Sequence, residues 1–234
     1  MRLRWMPLFL AAAVLTGLGA DAVQATELGR FTQVQGQVEV LRGGKTPTPV
    51  KVGDGVEPWE MIRTGSDSRV QVRFVDDSLV TMAPGSSIVV QEFLYNAPRG
   101  ERRAILKVFR GLVYLDISRN LNAAQPDFLV KTHTAVLAVR GTRFFVLPGS
   151  DFTCAFNEAG LFETSNIVPA LAKKTVVKDM EYVFVKAAME PTETIKLTPK
   201  QLGRLQQWLQ RGVPASVPSG DPQQIFASGR PWPE

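Results

Sequence analysis

Short apolar runs separated by turn-forming residues fill most of the chain, from about residue 28 to residue 185. The runs are rich in Val, Ile, Phe and Thr, and Gly, Pro, Asp and Ser interrupt them at intervals typical of all-β domains. Residues 69–75 show the pattern best, because Val70, Val72 and Phe74 alternate with polar residues and would face one side of a strand. No helical stretch between the runs is long enough to cross a parallel sheet. The sequence therefore predicts an all-β domain.

Several local patterns give more specific expectations. Residues 34–41 alternate apolar and polar side chains and predict one half-buried strand. Residues 95–103 are polar and predict a loop. Asp76-Asp77-Ser78 predicts a tight turn, because short polar side chains can bond their own backbone.

An apolar-x-Gly-x-apolar element recurs around Gly36, Gly111 and Gly160. In each copy the glycine separates two strand-like runs, which suggests a bend or a close backbone approach. The copies are unevenly spaced, so they do not form a regular repeat. They are compatible with a short, irregular β-solenoid or β-roll whose coils turn at these glycines.

The N-terminus has the pattern of an export signal. Arg2 and Arg4 precede an almost unbroken apolar run over residues 7–18, and small residues lead to a cleavage site after Ala25, or alternatively after Ala22. The apolar run is shorter than the roughly 20 residues that cross a bilayer. We expect a cleavable signal over residues 1–25 and a periplasmic or secreted protein, most consistent with a Gram-negative periplasm. An uncleaved signal anchor is the alternative.

The rest of the chain divides into three parts. A β-rich domain is predicted over residues 26–190, a C-terminal helix within residues 191–213 and a mobile, Pro-, Ser- and Gly-rich tail over 214–234. The helix begins with a Thr cap, Pro and then Gln, and its leucines fall on one face with Trp208 beside them, so it should dock on the β domain. No second apolar stretch reaches membrane length, so the mature chain should contain no transmembrane segment and be soluble.

The charge is only mildly positive. Removing the signal would leave 25 basic and 21 acidic residues of the 27 and 22 in the whole chain. Nucleic acid is not an expected partner of an exported protein. The densest basic group would be a solvated loop, although weak contact with anionic lipid or a polyanion stays open. This group comprises Arg99, Arg102, Arg103, Lys107 and Arg110.

Single copies of Cys and His argue against disulfides, metals and cofactors. Cys154 lies in an apolar run and should pack as a small hydrophobic residue. His133 has no second His or Cys partner that would make a zinc site. The carboxylates do not form a recognisable catalytic pair, although a glycosidase-type pair could be scattered along a sequence. We therefore predict neither a catalytic site nor a bound metal or cofactor.

Five motifs, in order, resemble those of the FecR family. The family pattern of a strand, Thr-Pro-x-Ala, a second strand and Arg-Gly-Thr-x-Phe is similar to residues 128–144, which contain Thr132-His-Thr-Ala135 and Arg140-Gly-Thr-Arg-Phe144. The other matches are the Thr-Gly-x-x-Ser turn, the Phe-x-Asp-Gly-Ser turn and two Gly-containing strand pairs. They lie at residues 62–70, 74–78, 108–113 and 157–161. The resemblance spans about residues 29–186.

The chain departs from this pattern at three places. His133 stands where the family often has Pro, Asp77 where it often has Gly, and residues 58–60 replace the usual Gly-Asp. The resemblance implies an exported module that senses or binds something. Because the sequence shows no cytoplasmic segment and no transmembrane helix, we do not carry over the family's regulation of sigma factors across the membrane.

Arg140, Gly141 and Thr142 are candidate interaction residues. The structural alternative is that Gly141 allows a tight bend while Arg140 bonds loop carbonyls. Trp59 and Tyr95 are candidates for a platform that stacks on a sugar or a peptide, with burial of Trp59 in the core as the alternative.

The favoured hypothesis is a non-catalytic sensing or interaction module that binds a protein or a glycan of the cell envelope. One alternative is a polysaccharide-active enzyme, for which Glu60 and Asp76 are test residues. Another is a structural protein that self-assembles through sheet edges. The oligomeric state is left open.

Overall fold

A computed structural model describes residues 27–43, 46–119, 125–171 and 173–214. The predicted signal and residues 215–234 of the predicted tail lie outside these residues. Within them, the chain forms eighteen strands, one α-helix and two short 3-10 helices at Ala97–Arg99 and Pro169–Leu171. The first nine strands are β1 Gly29–Gln35, β2 Val38–Leu41, β3 Thr48–Pro49, β4 Gly55–Val56, β5 Met61–Thr64, β6 Arg69–Phe74, β7 Leu79–Met82, β8 Ser87–Asn96 and β9 Glu101–Arg110. The remaining strands are β10 Val113–Asp116, β11 Phe128–Lys131, β12 Ala135–Val139, β13 Arg143–Pro148, β14 Phe152–Ala159, β15 Phe162–Asn166, β16 Thr175–Val177, β17 Glu181–Lys186 and β18 Ile195–Lys196, and the helix is α1 Pro199–Arg211.

The strands form two nine-stranded sheets. Sheet A has the order β18-β17-β14-β13-β10-β7-β6-β1-β4, and sheet B has the order β16-β15-β12-β11-β9-β8-β5-β2-β3. Pairing is antiparallel except between β9 and β11, which run parallel and are connected through β10 in the other sheet. The predicted all-β class with a C-terminal helix is therefore confirmed. The more specific β-solenoid or β-roll expectation is not confirmed.

Glycines lie where the chain leaves one sheet and enters the other. Gly36, Gly111, Gly141 and Gly160 occupy crossings of this kind, with φ values of 71°, 81°, 65° and 92°. These left-handed conformations suit glycine because it has no Cβ to clash with the backbone. The predicted bends at Gly36, Gly111 and Gly160 are confirmed, whereas the single strand predicted over residues 34–41 is wrong, because the bend at Gly36 divides it between the two sheets.

The main hydrophobic core lies between the sheets. Val70, Val72 and Phe74 of β6 all point into it, as their alternation predicted. Large aromatic side chains add to the same cluster, and Phe74 stacks on Phe93 with ring centroids 4.8 Å apart. This packing fixes the two sheets against each other and holds the turns that connect them.

Helix α1 covers part of the outer face of sheet A. Thr198 caps it, since its hydroxyl accepts a hydrogen bond from the Gln201 N–H at 3.3 Å while the Gln201 side chain accepts one from the Thr198 N–H at 2.8 Å. Leu205, Trp208 and Leu209 are buried in a second hydrophobic cluster. The predicted docking of the helix is therefore confirmed. The sheet residues of this cluster are Phe145, Leu147, Phe152, Cys154, Phe156, Tyr182 and Phe184.

The loop predicted over residues 95–103 is mostly strand. Strand β8 continues to Asn96 and β9 starts at Glu101, so that only a short 3-10 turn at Ala97–Arg99 separates them. Polar residues at the exposed ends of a long hairpin caused the error. In the part of the chain that the structure describes, no helix is both long and apolar enough to span a membrane.

Candidate functional site

The Arg140-Gly141-Thr142 segment carries the chain from β12 in sheet B to β13 in sheet A. A Cβ added to Gly141 would lie 2.6 Å from the Cβ of Arg119, so only glycine allows this close approach. Thr142 is buried, and its hydroxyl donates a hydrogen bond to the Leu161 carbonyl at 2.7 Å. Its own carbonyl accepts a hydrogen bond from the Ile117 N–H at 3.0 Å. Gly141 and Thr142 therefore have structural roles that fix three neighbouring segments.

Arg140 has a different environment. Its side chain is half-buried, and its buried Nε atom has no hydrogen-bond partner in the part of the chain that the structure describes. Among the described residues, the guanidinium has none of the expected hydrogen bonds to loop carbonyls and no ion pair. A buried polar nitrogen without a partner is costly, and such groups in native proteins call for an explanation. Arg140 is thus a strong candidate for contact with a ligand.

A second glycine turn packs against the first. Gly160 connects β14 to β15, and its N–H donates to Asp179 Oδ1 at 2.5 Å. Its carbonyl accepts a hydrogen bond from the buried Asn157 Nδ2 at 2.7 Å. A Cβ on Gly160 would come within 2.8 Å of the Gly141 carbonyl oxygen. The two turns therefore form a close-packed, rigid backbone floor.

A cleft of about 690 Å³ opens above these two turns. Its described lining includes three cationic side chains and one carboxylate, and this carboxylate already accepts a hydrogen bond from a backbone N–H. Leu161 adds an apolar surface that is 52% exposed. We refer to this feature as the Arg140 cleft. It is lined by Arg119, Arg140, Gly141, Gly160, Leu161, Lys178 and Asp179.

An adjoining depression of about 380 Å³ shares Arg119, Gly141 and Gly160 with the Arg140 cleft. It adds Arg143 and Asp116, whose charges offset each other. The shared residues make the two depressions neighbours on one surface. This surface is larger than a single small ion would fill.

A buried ionic network holds the chain next to Arg119. Arg102 forms ion pairs with Asp76 at 2.6 Å and Asp127 at 2.7 Å, and it also donates to the Ser118 carbonyl at 2.9 Å. Ser78 accepts a hydrogen bond from the Ser118 N–H at 3.1 Å. Ser118 is therefore held through both of its backbone polar groups. The prediction that Arg102 belongs to a solvated loop is wrong, because its side chain is only 1% exposed.

Electrostatics support the charged state of this arginine. Burial lowers the pKa of Arg102, but hydrogen bonds and charge interactions with Asp127 and Asp76 outweigh burial, so that the pKa is raised overall. Its guanidinium also lies 5.6 Å from the centroid of the Phe128 ring. The predicted turn at Asp76-Asp77-Ser78 is confirmed, since the Ser78 N–H donates to Asp76 Oδ1 at 3.0 Å. No local sequence pattern indicated that this turn would receive an arginine from another strand.

Trp59 lies on a separate turn and is 65% exposed. Its φ of 65° is left-handed, which is unusual for a bulky residue. Glu60 is buried and holds the turn, because it accepts a hydrogen bond from the Glu57 N–H at 2.9 Å and pairs with Arg42. The alternative that Trp59 is buried in the core is therefore wrong.

Tyr95 is 41% exposed but lies apart from Trp59. The Trp59 N–H donates to the Val90 carbonyl, and Tyr95 is further along the same strand. Five residues of extended chain span roughly 16 Å. The structure therefore does not bring the two aromatic residues together into one stacking platform.

The single histidine and cysteine lie in contrasting environments. His133 is exposed, and no group of three or more metal-binding side chains occurs within the described ranges. Cys154 is fully buried in the cluster beneath α1, and this burial raises the pKa of its thiol. The predicted packing of Cys154 as a small hydrophobic residue is confirmed.

Comparisons with known proteins agree with this fold. Residues 60–156 match the model of the family described as FecR protein, in agreement with the resemblance of the sequence motifs. No curated protein matches the chain. The matched residues include the Arg140-Gly141-Thr142 segment, whereas Gly160, Leu161 and Lys178 of the Arg140 cleft lie beyond them.

Two crystal structures from Parabacteroides distasonis ATCC 8503, each described as a "putative anti-sigma factor", are similar to the chain. The first, at 2.50 Å resolution, has a TM-score of 0.50 and 18% sequence identity over 64% of each chain. The second, at 1.65 Å, has a TM-score of 0.48 and 16% identity over 63% of this chain and 64% of that one. The chain thus spans slightly less than two thirds of the matched structures. At this identity the likeness concerns the fold.

Proposed function

We propose that this protein is an exported, non-catalytic FecR-type module that senses or transmits a signal by binding a protein or a glycan of the cell envelope. The FecR domain and the anti-sigma-factor-like fold support a signalling or sensing role. The N-terminal sequence pattern supports export to the periplasm. The binding partner and the location are parts of this proposal.

The Arg140 cleft is the observation that carries the proposal. It combines a half-buried arginine with cationic neighbours on a floor formed by two closely packed turns, and the described residues provide neither a hydrogen-bond partner for Arg140 Nε nor an ion pair for these cations. Loops held by a rigid scaffold are frequent sites of binding. A rigid floor would also reduce the ordering cost of association. We therefore assign contact with the partner to this cleft.

The carboxylates proposed for an enzyme are instead engaged in the fold. Glu60 is buried, pairs with Arg42 and accepts a backbone hydrogen bond. Asp76 is buried against Arg102 and bonds both the hydroxyl and the N–H of Ser78. Loss of either carboxylate would therefore impair folding, and these contacts favour a binding role over a hydrolytic one.

The terminal strands of both sheets are poorly suited to self-assembly. In the described part of the chain, β3, β4 and β18 have two residues each and β16 has three. Pro49 in β3 also removes a backbone donor. Very short strands and proline are common means of preventing edge-to-edge pairing. These features favour the interaction module over a fibre-forming structural protein.

Affinity capture from an envelope extract tests the proposal. The purified wild-type protein, Arg140→Ala and Arg63→Ala should be immobilised in parallel, and retained proteins and glycans should be identified by mass spectrometry. Arg63 is a matched control because it is exposed on β5, four strands away from β12 in sheet B, or roughly 19 Å. We expect a component that the wild type and Arg63→Ala retain and Arg140→Ala loses. Identical profiles for all three proteins would contradict the proposed site.

Fractionation tests the proposed location separately. Cells that express the full chain should contain a mature form in the periplasmic fraction, shortened by cleavage after Ala25 or Ala22. N-terminal sequencing of that form identifies the cleavage site. A full-length protein that stays with the cytoplasmic fraction would contradict export.

A further inference from the structure

The charges that line the Arg140 cleft indicate the chemistry of its partner. Arg119, Arg140 and Lys178 line the cleft, and none of them forms an ion pair among the described residues. Among the described lining residues Asp179 is the one acidic side chain, and one of its oxygens already accepts the Gly160 N–H. The cleft therefore has an excess of positive charge, which favours an anionic group.

The position of Arg140 makes it the central contact. Its Nε atom is buried and has no partner within the described part of the chain, so an acceptor that reached the guanidinium would satisfy a group that these residues leave unsatisfied. A planar carboxylate can accept two hydrogen bonds from one arginine. Arg119 and Lys178 are more exposed and would strengthen the attraction from the rim.

The apolar part of the cleft argues for a peptide. Leu161 is 52% exposed beside the three cations, and it would remain in water if the ligand were a phosphate or a sulfate. A polysaccharide of uronic acids would supply carboxylates but no side chain to cover Leu161. A protein segment that combines Asp or Glu with an apolar residue complements both features. Such a segment is also large enough to extend over a cleft of about 690 Å³ and the adjoining depression.

We propose that the Arg140 cleft binds an acidic segment of a protein partner, with a carboxylate on Arg140 and Lys178 and an apolar side chain on Leu161. This inference rests on the proposed function and selects a protein over a glycan as the partner. The Gly141 and Gly160 turns would serve as a fixed floor for the segment.

Fluorescence anisotropy with a short labelled peptide that contains Glu and Leu tests the inference. The comparison peptide has Gln in place of every Glu and keeps the Leu residues. We expect the Glu peptide to bind and the Gln peptide to bind far more weakly. Binding should also weaken with added salt, because exposed charges are screened.

Variants locate the binding site. Arg140→Ala should weaken binding by about tenfold or more, the effect of losing a charged hydrogen bond. Lys178→Ala, which removes an exposed charge, should weaken it by about two- to fivefold. Arg63→Ala should bind as the wild type does. Far-UV circular dichroism and thermal unfolding confirm that each variant is folded before binding is measured.

Several results would overturn the inference. Equal binding of the two peptides would show that the carboxylates are not recognised. Unchanged binding by Arg140→Ala would show that the peptide binds at another site. Displacement of the peptide by inorganic phosphate or polygalacturonate at equal charge concentration would indicate a general anion site. If Arg140-dependent capture from envelope extract succeeds while the Glu peptide fails to bind, the acidic-segment inference fails and the proposed function stands. If the peptide binds but capture from the extract does not depend on Arg140, the assignment of the envelope partner to the Arg140 cleft is wrong.

Discussion

Arg102 provides the sharpest test of how this fold is held together. Its guanidinium spans Asp76 and Asp127, and the side chains of all three residues are at least nine-tenths buried. The substitution Arg102→Met keeps much of the side-chain volume and removes the positive charge. Two carboxylates would then be left in the interior without their cation.

The structure sets the expected magnitude. Breaking a buried pair by removing one partner costs about 3–5 kcal/mol, because the remaining charge is desolvated without compensation. Arg102 serves two carboxylates and also lies over the Phe128 ring, so we expect a value within that range. Domains have total stabilities of about 5–15 kcal/mol, so the variant should be marginally folded.

Urea unfolding, followed by far-UV circular dichroism and by tryptophan fluorescence, measures the change. Arg103→Met is the matched control, since Arg103 pairs with Glu92 at 3.0 Å but is 72% exposed. Exposed pairs contribute about 0–1 kcal/mol, so the control should stay close to the wild type. A variant that combines Arg102→Met with Asp76→Asn and Asp127→Asn should recover part of the loss, because no ionised group would then stay buried.

A loss below about 1 kcal/mol for Arg102→Met would refute this reasoning, because it would be no larger than for an exposed pair. No recovery in the triple variant would also count against it. That result would mean that the hydrogen bonds of Arg102 to Ser118, and not the stranded charges, dominate the effect.

Three further predictions concern other parts of the molecule. Trp59→Gly should be more stable than Trp59→Ala by about 1 kcal/mol in urea unfolding, because only glycine adopts the left-handed φ of 65° without strain. Equal stabilities of the two variants would contradict that backbone conformation. A hydrogen bond from Lys196 and one from the Lys178 N–H lower the pKa of Glu181. The ionised carboxylate should therefore stabilise the fold at pH values above its ordinary pKa of 4.5, and this contribution should be lost as the pH falls through the lowered pKa. Urea midpoints of Glu181→Gln should accordingly depend less on pH in this acidic range than those of the wild type, and parallel curves would refute the assignment. The Cys154 thiol is buried and its pKa is raised, so a thiol reagent should label it only after denaturation. Rapid labelling of the native protein would contradict this prediction and would show that the cluster beneath α1 opens.

Local patterns in the sequence predicted much of the architecture. Alternation identified the inward face of β6, and the Thr-Pro-Lys-Gln start located α1 together with its capping interactions. These predictions succeed because strand alternation and helix capping depend on residues close together in the chain. The glycine bends also succeed for a local reason, since the left-handed conformation favours a residue without a Cβ.

The predictions that failed depended on long-range packing. The hairpin of β8 and β9 looked like a loop because its distal end is polar, and Arg102 looked solvated because its partners Asp76 and Asp127 are 26 and 25 residues away. The residues next to Trp59 in the sequence did not determine whether its side chain is buried or exposed. In each case the deciding contact comes from a distant segment.

The candidate site was likewise predictable from local sequence patterns only in part. Sequence patterns singled out Arg140, Gly141 and Thr142, because a glycine between two apolar runs indicates a bend and an adjacent arginine is available for contact. The packing of the two sheets brings Arg119, Gly160, Leu161 and Lys178 to that bend, where Arg140 Nε has no hydrogen-bond partner among the described residues. Backbone conformation is a local property that residue types encode directly. The assembly of charges around a cleft depends on how two sheets pack, and no local pattern records it.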